Sequence, residues 1–173
     1  MAGKENEMRR FHLFMSCLFL VAGLASAEPL HTYLTYSGDP TTSIDINLFV
    51  EDKVPGVAVY FDTVSHDGDK AKYPQHVMAP YCQTILEILD GRALYVADLK
   101  DLKPATKYYF VAGDEKNGYT KERSFRTLPG GNKPLRFING GDMGAGERTV
   151  RLLKLAVEQD PDFGVIGGDI PYS

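Results

Sequence analysis

The sequence has no tryptophan, only two cysteines and no Asn-x-Ser/Thr acceptor for N-glycosylation. It also lacks an excess of positive charge, since it has 19 lysines and arginines and 23 acidic residues. The resulting net charge of -4 excludes a basic nucleic-acid binder. Hydrophobic residues make up 43% of the chain, which excludes a disordered protein. The length of 173 residues fits one or two small domains.

The few cysteines carry little information about the cellular compartment. Cys17 lies in an apolar N-terminal segment, so the rest of the chain keeps only Cys82, which cannot form an internal disulfide. We expect Cys82 to be a small buried residue in a strand. A disulfide with another chain, or with a cysteine beyond Ser173, is the alternative.

The N-terminus has the three regions of a secretory signal. Basic residues come first, a run of 12 mainly apolar residues follows over 13–24, and the small triplet Ala25-Ser26-Ala27 precedes Glu28. The run is too short to span a bilayer as a helix, which takes about 20 residues. The pattern predicts a signal peptide over residues 1–27, cleaved after Ala27, and hence a protein that is secreted or enters an endomembrane or lysosomal-type compartment, with no stable membrane span. An uncleaved anchor and a buried core helix are the alternatives.

Residues 28–128 have the period of β-strands. Apolar side chains recur at every second position from Ile44 to Val50, and Asn117-Gly118 predicts a hairpin with a type I′ turn. About seven short strands of this kind predict an antiparallel β-sandwich. The segment Leu102-Lys-Pro104-Ala-Thr106-Lys-Tyr108 resembles a fibronectin type III-like domain, in which that tyrosine bonds its hydroxyl back to nearby backbone.

A linker rich in glycine and proline, residues 129–134, precedes a change of period. Leu135–Asn139 predicts a strand, Glu147–Gln159 an amphipathic helix and Phe163–Ile166 a second strand. Strand, helix and strand with short connections form a βαβ unit. We therefore expect the two strands to be parallel, with a right-handed crossover.

Both of these strands end in an apolar run followed by Gly-Gly-Asp, which positions Asp142 and Asp169. Residues just past the carboxyl ends of neighbouring parallel strands meet at one edge of the sheet. Two carboxylates brought together repel each other unless a cation lies between them, and the glycines leave room for an ion to approach. Tyr172 adds a phenol on the second loop. The pattern predicts a metal site, and a pair of tight turns with aspartate caps is the purely structural alternative.

Two segments carry a family resemblance. Gly141-Asp142-Met143-Gly144 and Gly168-Asp169-Ile170-Pro171-Tyr172 resemble the first two blocks of the calcineurin-like metallophosphoesterases. The tyrosine form of the second block, behind a fibronectin-like domain and a secretory signal, is typical of the purple acid phosphatases. The resemblance implies a binuclear centre of Fe(III) with a divalent Fe, Zn or Mn, in which Asp142 binds the iron, Asp169 bridges the metals and Tyr172 is the iron-bound phenolate. It also implies hydrolysis of phosphomonoesters by a metal-bound hydroxide.

The family's later ligand blocks are missing from the sequence. No Gly-Asn-His occurs before Ser173, and the four histidines, at positions 12, 31, 66 and 76, lie outside the family's ligand positions. The segment from residue 135 onward is too short to form a hydrophobic core of its own. We therefore expect the chain to be the N-terminal part of a longer enzyme and inactive as it stands.

The predicted fold is an all-β fibronectin type III-like sandwich (28–128), a linker (129–134) and the first βαβ unit of a truncated α/β metallophosphoesterase fold (135–173). The predicted function is that of a fragment of a secreted acid phosphatase with a phosphomonoester substrate and no nucleic-acid partner. A secreted, non-enzymatic fibronectin-like binding module with a vestigial catalytic tail is the alternative. A nucleotide-binding loop at 140–146 is disfavoured, because its glycines lack the Gly-x-Gly-x-x-Gly register. The oligomeric state, the physiological substrate and the identity of the second metal stay open.

Overall fold

The computed structural model describes residues 29, 31–85 and 92–168. The predicted signal peptide and two predicted metal ligands, Asp169 and Tyr172, lie outside these residues. Within them the elements follow in the order β1 (His31–Thr35), β2 (Ile44–Val50), β3 (Ala58–Asp62), a 3-10 helix (Lys70–Lys72), β4 (Gln75–Met78), β5 (Tyr81–Ile85), β6 (Arg92–Leu99), β7 (Lys107–Asp114), β8 (Gly118–Tyr119), β9 (Arg123–Arg126), β10 (Phe137–Gly140), α1 (Glu147–Val157) and β11 (Phe163–Ile166).

Two antiparallel sheets share one apolar core. The first sheet has the strand order β1-β2-β6-β5, and the second has the order β4-β3-β7-β8 with β9 also paired to β7. Ile46 and Leu48 from the first sheet and Val59 and Phe110 from the second belong to the same buried cluster. The alternation at 44–50 therefore directs its apolar side chains inward, and the predicted all-β sandwich is confirmed.

Two buried tyrosines tie connecting loops to the sandwich. The backbone N–H of Lys103 donates to the hydroxyl of Tyr108 over 2.9 Å, as the tyrosine pattern predicted. The hydroxyl of Tyr95 accepts from the N–H of Val54 at 2.8 Å and donates to the carbonyl of the same residue at 2.6 Å. The pairing of the sheets leaves these backbone groups without a partner. Each tyrosine hydroxyl supplies one inside the fold.

The hairpin between β7 and β8 is present, but its turn is longer than predicted. Gly113 pairs with Tyr119 and Asp114 with Gly118, so the loop has three residues, 115–117, instead of two. The buried carboxylate of Asp114 accepts the backbone N–H groups of Lys116 and Asn117 at 2.8 and 2.9 Å. Gly118 then returns the chain to the strand with φ 85°. The type I′ prediction was wrong because the Asp114 side chain stabilises a wider turn.

Cys82 is exposed, so the prediction of a buried residue was wrong. It lies in β5, at the edge of the first sheet. The pairing of β5 with β6 shifts register between Tyr81 and Gln83, which leaves Cys82 as the extra residue of a β-bulge. A bulged residue falls out of the inward and outward alternation, and this explains why the strand pattern misplaced the thiol.

The C-terminal part has the predicted order of strand, helix and strand. The strands β10 and β11 are parallel, with pairs running from Phe137 and Phe163 to Gly140 and Ile166. No residue of α1 is buried, and Leu152 and Val157 are 59% and 71% exposed. The place of this unit in a metallophosphoesterase fold stays a prediction. Among the described residues no helix is long and apolar enough to cross a membrane, and residues 13–24 are not among them.

Candidate metal site at the ends of two parallel strands

The two Gly-Gly-Asp segments meet through direct backbone packing. The N–H of Gly167 donates to the carbonyl of Gly140 over 2.8 Å, which extends the pairing of β10 with β11 by one step. A Cβ on Gly141 would lie 1.4 Å from the carbonyl oxygen of Gly167, so no side chain fits at position 141. The carboxyl ends of the two strands are therefore adjacent, as the parallel pairing predicted.

Asp142 follows this contact in a left-handed backbone conformation, with φ 49°. Aspartate adopts this region more readily than most residues, although it remains an uncommon conformation that is often found at functional turns. A Cβ on Gly168 would come within 2.9 to 3.0 Å of the Asp142 carboxylate. Asp142 therefore reaches the residue that directly precedes Asp169.

The donor set that the structure describes here contains one of the predicted ligands. Asp142 is located at the strand edge and offers hard carboxylate oxygens, which suit Fe(III) and divalent first-row ions. Among residues 29, 31–85 and 92–168 no group of three or more histidine, cysteine or acidic side chains could hold a metal. The carboxylate of Asp142 is chemically suited to a metal ion, and the metal-binding roles of Asp142, Asp169 and Tyr172 all stay predictions.

The three histidines of the sandwich make contacts within that domain. His66 places its Nε2 atom 2.8 Å from Oδ2 of Asp62. His76 stacks on Tyr60 with ring centroids 5.4 Å apart, and His31 meets the ring of Phe49 edge-on at 6.5 Å. His12 lies outside the described residues.

Glu122 lies at the centre of a second polar cluster, in which four donors surround its carboxylate. The sequence pattern did not predict this cluster. Glu122 accepts hydrogen bonds from the hydroxyls of Ser65, at 2.5 Å, and Tyr73, and from the N–H groups of His66, at 2.8 Å, and Gly68, at 3.4 Å. Burial raises the pKa of Glu122, but these four hydrogen bonds outweigh it and lower the pKa to about 2. Burial and the bond to this carboxylate raise the pKa of Tyr73, which keeps its hydroxyl a donor. The cluster holds the loop between β3 and β4 against the segment before β9.

The role of the paired glycines was only partly predicted. The sequence suggested that Gly141 and Gly168 leave room for an ion, whereas the structure shows each pressed against the opposite loop. The signal for this packing is the repetition of the same Gly-Gly-Asp pattern after both strands. Two loops that must touch at one sheet edge both need residues without a side chain at the contact.

Comparison with known proteins gives a family for the sandwich. The family model of the purple acid phosphatase N-terminal domain matches residues 29–127. Purple acid phosphatase 21 of Arabidopsis thaliana is 39% identical over 72 residues, which are 42% of this chain and 15% of that protein. Purple acid phosphatase 23 of the same plant is 31% identical over 107 residues, or 58% of this chain and 21% of that protein.

A solved structure of astrotactin-2, a vertebrate-specific and perforin-like membrane protein, overlaps 65% of this chain and 24% of its own. Its identity is 16% and its TM-score 0.40, which is too low to support an inference about fold or function. The chain spans 15% and 21% of the lengths of the two plant phosphatases. The match therefore does not show that this chain has the activity of a whole enzyme. Because the family model covers more than half of the sequence, the chain belongs to the purple acid phosphatase family and contains its N-terminal domain.

Proposed function

We propose that this chain is part of a secreted, metal-dependent acid phosphatase that hydrolyses phosphomonoesters at a binuclear centre. The observation that carries the proposal is the packing of the Asp142 carboxylate against Gly168, at the shared end of β10 and β11. This packing supports a site to which Asp142 and the residue after Gly168, Asp169, both contribute.

In this proposal Asp142 and Tyr172 would hold Fe(III), Tyr172 as a phenolate, and Asp169 would be a ligand shared with the second ion, a divalent Fe, Zn or Mn. When bound, such a centre withdraws charge from the phosphoryl oxygens and activates water. The contribution of the chain itself is positional. The left-handed backbone at Asp142 and the contact of Gly141 with Gly167 hold the carboxylate at the edge of the sheet.

The 173-residue chain by itself is proposed to be inactive. Three protein ligands are too few to hold two ions in the geometry of phosphoryl transfer. Purified chain loaded with iron and zinc should therefore show no phosphomonoesterase activity at acidic pH. Stoichiometric binding of two ions together with turnover would contradict this part of the proposal.

Titration with Fe(III), followed by visible absorption, tests the tyrosinate assignment. A phenolate on iron gives a charge-transfer band, so the band should form with the wild-type chain and disappear in Tyr172→Phe. The matched control is Tyr33→Phe, because Tyr33 is 43% exposed in the sandwich and should leave the band unchanged. A colourless iron-loaded chain, or a band that survives Tyr172→Phe, would contradict the assignment.

One observation favours the alternative function of a non-enzymatic binding module. The described strands of the sandwich share a buried apolar core, whereas no residue of α1 is buried. The transcript discriminates between the two functions. A reading frame that continues past Ser173 into a Gly-Asn-His segment supports the enzyme, and a stop codon supports the module.

Secretion is part of the same proposal and rests on residues 1–27, which precede the described part of the chain. Cleavage after Ala27 should give a mature protein that begins at Glu28. N-terminal sequencing of protein from the medium of an expressing cell checks this. Intact protein retained in the cell membrane would instead support an uncleaved anchor.

A further inference from the structure

A groove of about 360 Å³ lies where the sandwich meets the C-terminal unit. Leu34 and Tyr36 line it from β1 and the residues that follow, and three consecutive positions, Ser124 to Arg126, line it from β9. The turn Asp160–Asp162, which precedes β11, also lines it. The volume is within the range of small-molecule sites.

Two cations, Lys107 and Arg126, line the groove, and neither has a negative partner among the described residues. Lys107 and Arg126 lie directly opposite each other in the pairing of β7 with β9, an arrangement in which like charges repel. The Lys107 ammonium lies over the ring of Tyr109, 4.7 Å from its centroid. In the described part of the chain, neither cation is within ion-pair distance of a carboxylate.

Two hydroxyls add to this donor set. Ser124 and Tyr36 line the same groove, and neither hydroxyl makes a hydrogen bond to another described residue. Partial burial, followed by the charge of Asp162, raises the pKa of Tyr36, so the phenol stays protonated. Four donors that have no acceptor among the described residues, all lining one small groove, match the chemistry of an oxyanion.

The turn Asp160–Asp162, which also lines the groove, has the reverse chemistry. The carboxylate of Asp162 accepts the N–H of Arg136 at 2.8 Å, which fixes this side chain at the start of the strand pair. Asp160 lies in the left-handed region with φ 48°. Both are acceptors that would repel a second anionic group but would accept hydrogen bonds from ligand hydroxyls.

This groove is separate from the candidate metal site. The turn Asp160–Asp162 precedes β11, whereas Asp142 contacts Gly168 beyond the other end of that strand. The two places therefore lie at opposite ends of β11, and the groove does not depend on the proposed phosphatase activity.

We propose that the groove binds a compact oxyanion with hydroxyl groups at its other end, such as a small polyol phosphate or hydroxycarboxylate. The anionic group lies between Lys107 and Arg126 and accepts from Ser124 and Tyr36. The hydroxyls of the ligand donate to Asp160 and Asp162.

An NMR titration of the isotope-labelled, chelator-treated chain tests the site, because amide shifts locate where a ligand binds. The probes are glycerol 3-phosphate, glycerate, inorganic phosphate and uncharged glycerol. We expect glycerol 3-phosphate and glycerate to shift the amides of Ser124 and Arg126 with a Kd of about 1 mM or tighter, and phosphate to bind more weakly. Glycerol should give no shift at these amides.

Variants separate the cation wall from the carboxylate wall. Lys107→Met and Arg126→Gln should each weaken both hydroxylated anions about tenfold or more, whereas Lys121→Met, outside the groove, should have no effect. Asp160→Ala should weaken glycerol 3-phosphate and leave phosphate unchanged or tighter. Both cations are exposed, so the variants are expected to fold, and melting curves check this.

Three results would overturn the proposal. The first is the absence of saturable shifts at Ser124 and Arg126 with any of the anions. The second is anion binding that survives the double variant at Lys107 and Arg126. The third is equal binding of phosphate and glycerol 3-phosphate that Asp160→Ala does not change, which would remove the role of the hydroxyl groups.

Discussion

The carboxylate of Asp142 packs against the backbone of Gly168, where an added Cβ would come within 2.9 Å of Oδ1 and 3.0 Å of Oδ2. The contact joins the loops that follow two strands separated in sequence by α1. It places the Asp142 carboxylate next to Gly168, the residue that precedes Asp169. The geometry of the candidate site therefore depends on two glycines at least as much as on its donors.

Replacement of Gly141 by alanine should separate the ends of β10 and β11. The new Cβ would lie 1.4 Å from the carbonyl oxygen of Gly167, and backbone on both sides leaves no flexible group that could move away. We expect the N–H of Gly167, which donates to Gly140 at 2.8 Å, to lose its protection from hydrogen exchange. Exchange measured residue by residue by NMR checks this.

Gly130→Ala is the matched control for that experiment. Gly130 lies in the linker, where an added Cβ would have no heavy atom within 4 Å, and it is not among the residues with positive φ. Its replacement should leave the exchange of the Gly167 amide unchanged. If Gly141→Ala also leaves that amide protected, the close packing of the two loops is wrong.

The cluster around Glu122 makes stability depend on pH in acid. The pKa of Glu122 is about 2 in the folded chain and 4.5 ordinarily, so its contribution is complete above about pH 4.5 and is lost as the pH falls toward 2. Glu122→Gln should cost about 1 to 3 kcal/mol at neutral pH, because its amide group faces donors. The melting temperature of this variant should also fall less than that of the wild type between about pH 5.5 and 2.5.

Other carboxylates limit the size of that effect. Hydrogen bonds also lower the pKa values of Asp62 and Asp69, so Glu122→Gln should reduce the acid dependence and not abolish it. Glu51→Gln is the control, since Glu51 is exposed and makes no hydrogen bond to a described residue. A Glu122→Gln melting profile parallel to that of the wild type would show that the cluster does not stabilise the folded state.

The hydroxyl of Tyr108 should contribute a modest part of the stability of the sandwich. Tyr108→Phe leaves the partly buried N–H of Lys103 without its acceptor, at a cost of about 1 kcal/mol. Tyr109→Phe, one position along, removes a hydroxyl that has no hydrogen bond to a described residue and should be neutral. Urea denaturation measures both variants, and equal midpoints for the two would remove the role of the Tyr108 hydroxyl.

Local patterns predicted much of this fold. Alternation from Ile44 to Val50 identified a core face. The segment that ends at Tyr108 predicted, through its resemblance to a fibronectin-like domain, a bond from the hydroxyl to nearby backbone, and the structure shows that the partner is Lys103. The repeated Gly-Gly-Asp ending identified a meeting of two loops, because parallel strands place their carboxyl ends at one edge. In each case the information lies within one element or in a repeated local pattern.

Contacts between distant residues were not predictable in this way. Glu122 binds Ser65 and Tyr73, which lie 57 and 49 residues away, and no local pattern marks either partner. Lys107 faces Arg126 only because the turns between β7 and β9 set that register. The bulge that exposes Cys82 likewise depends on how β5 pairs with β6.

Tyr95 should matter more for stability than Tyr108. Its side chain is 3% exposed, and its hydroxyl serves both the N–H and the carbonyl of Val54, at 2.8 and 2.6 Å. Tyr95→Phe leaves two buried backbone groups without partners, so we expect a loss of about 2 to 4 kcal/mol in the free energy of unfolding, against about 1 kcal/mol for Tyr108→Phe. The same urea series compares the two variants. A smaller loss at Tyr95 than at Tyr108 would mean that water replaces its hydroxyl at Val54, and that the loop after β2 is open to solvent.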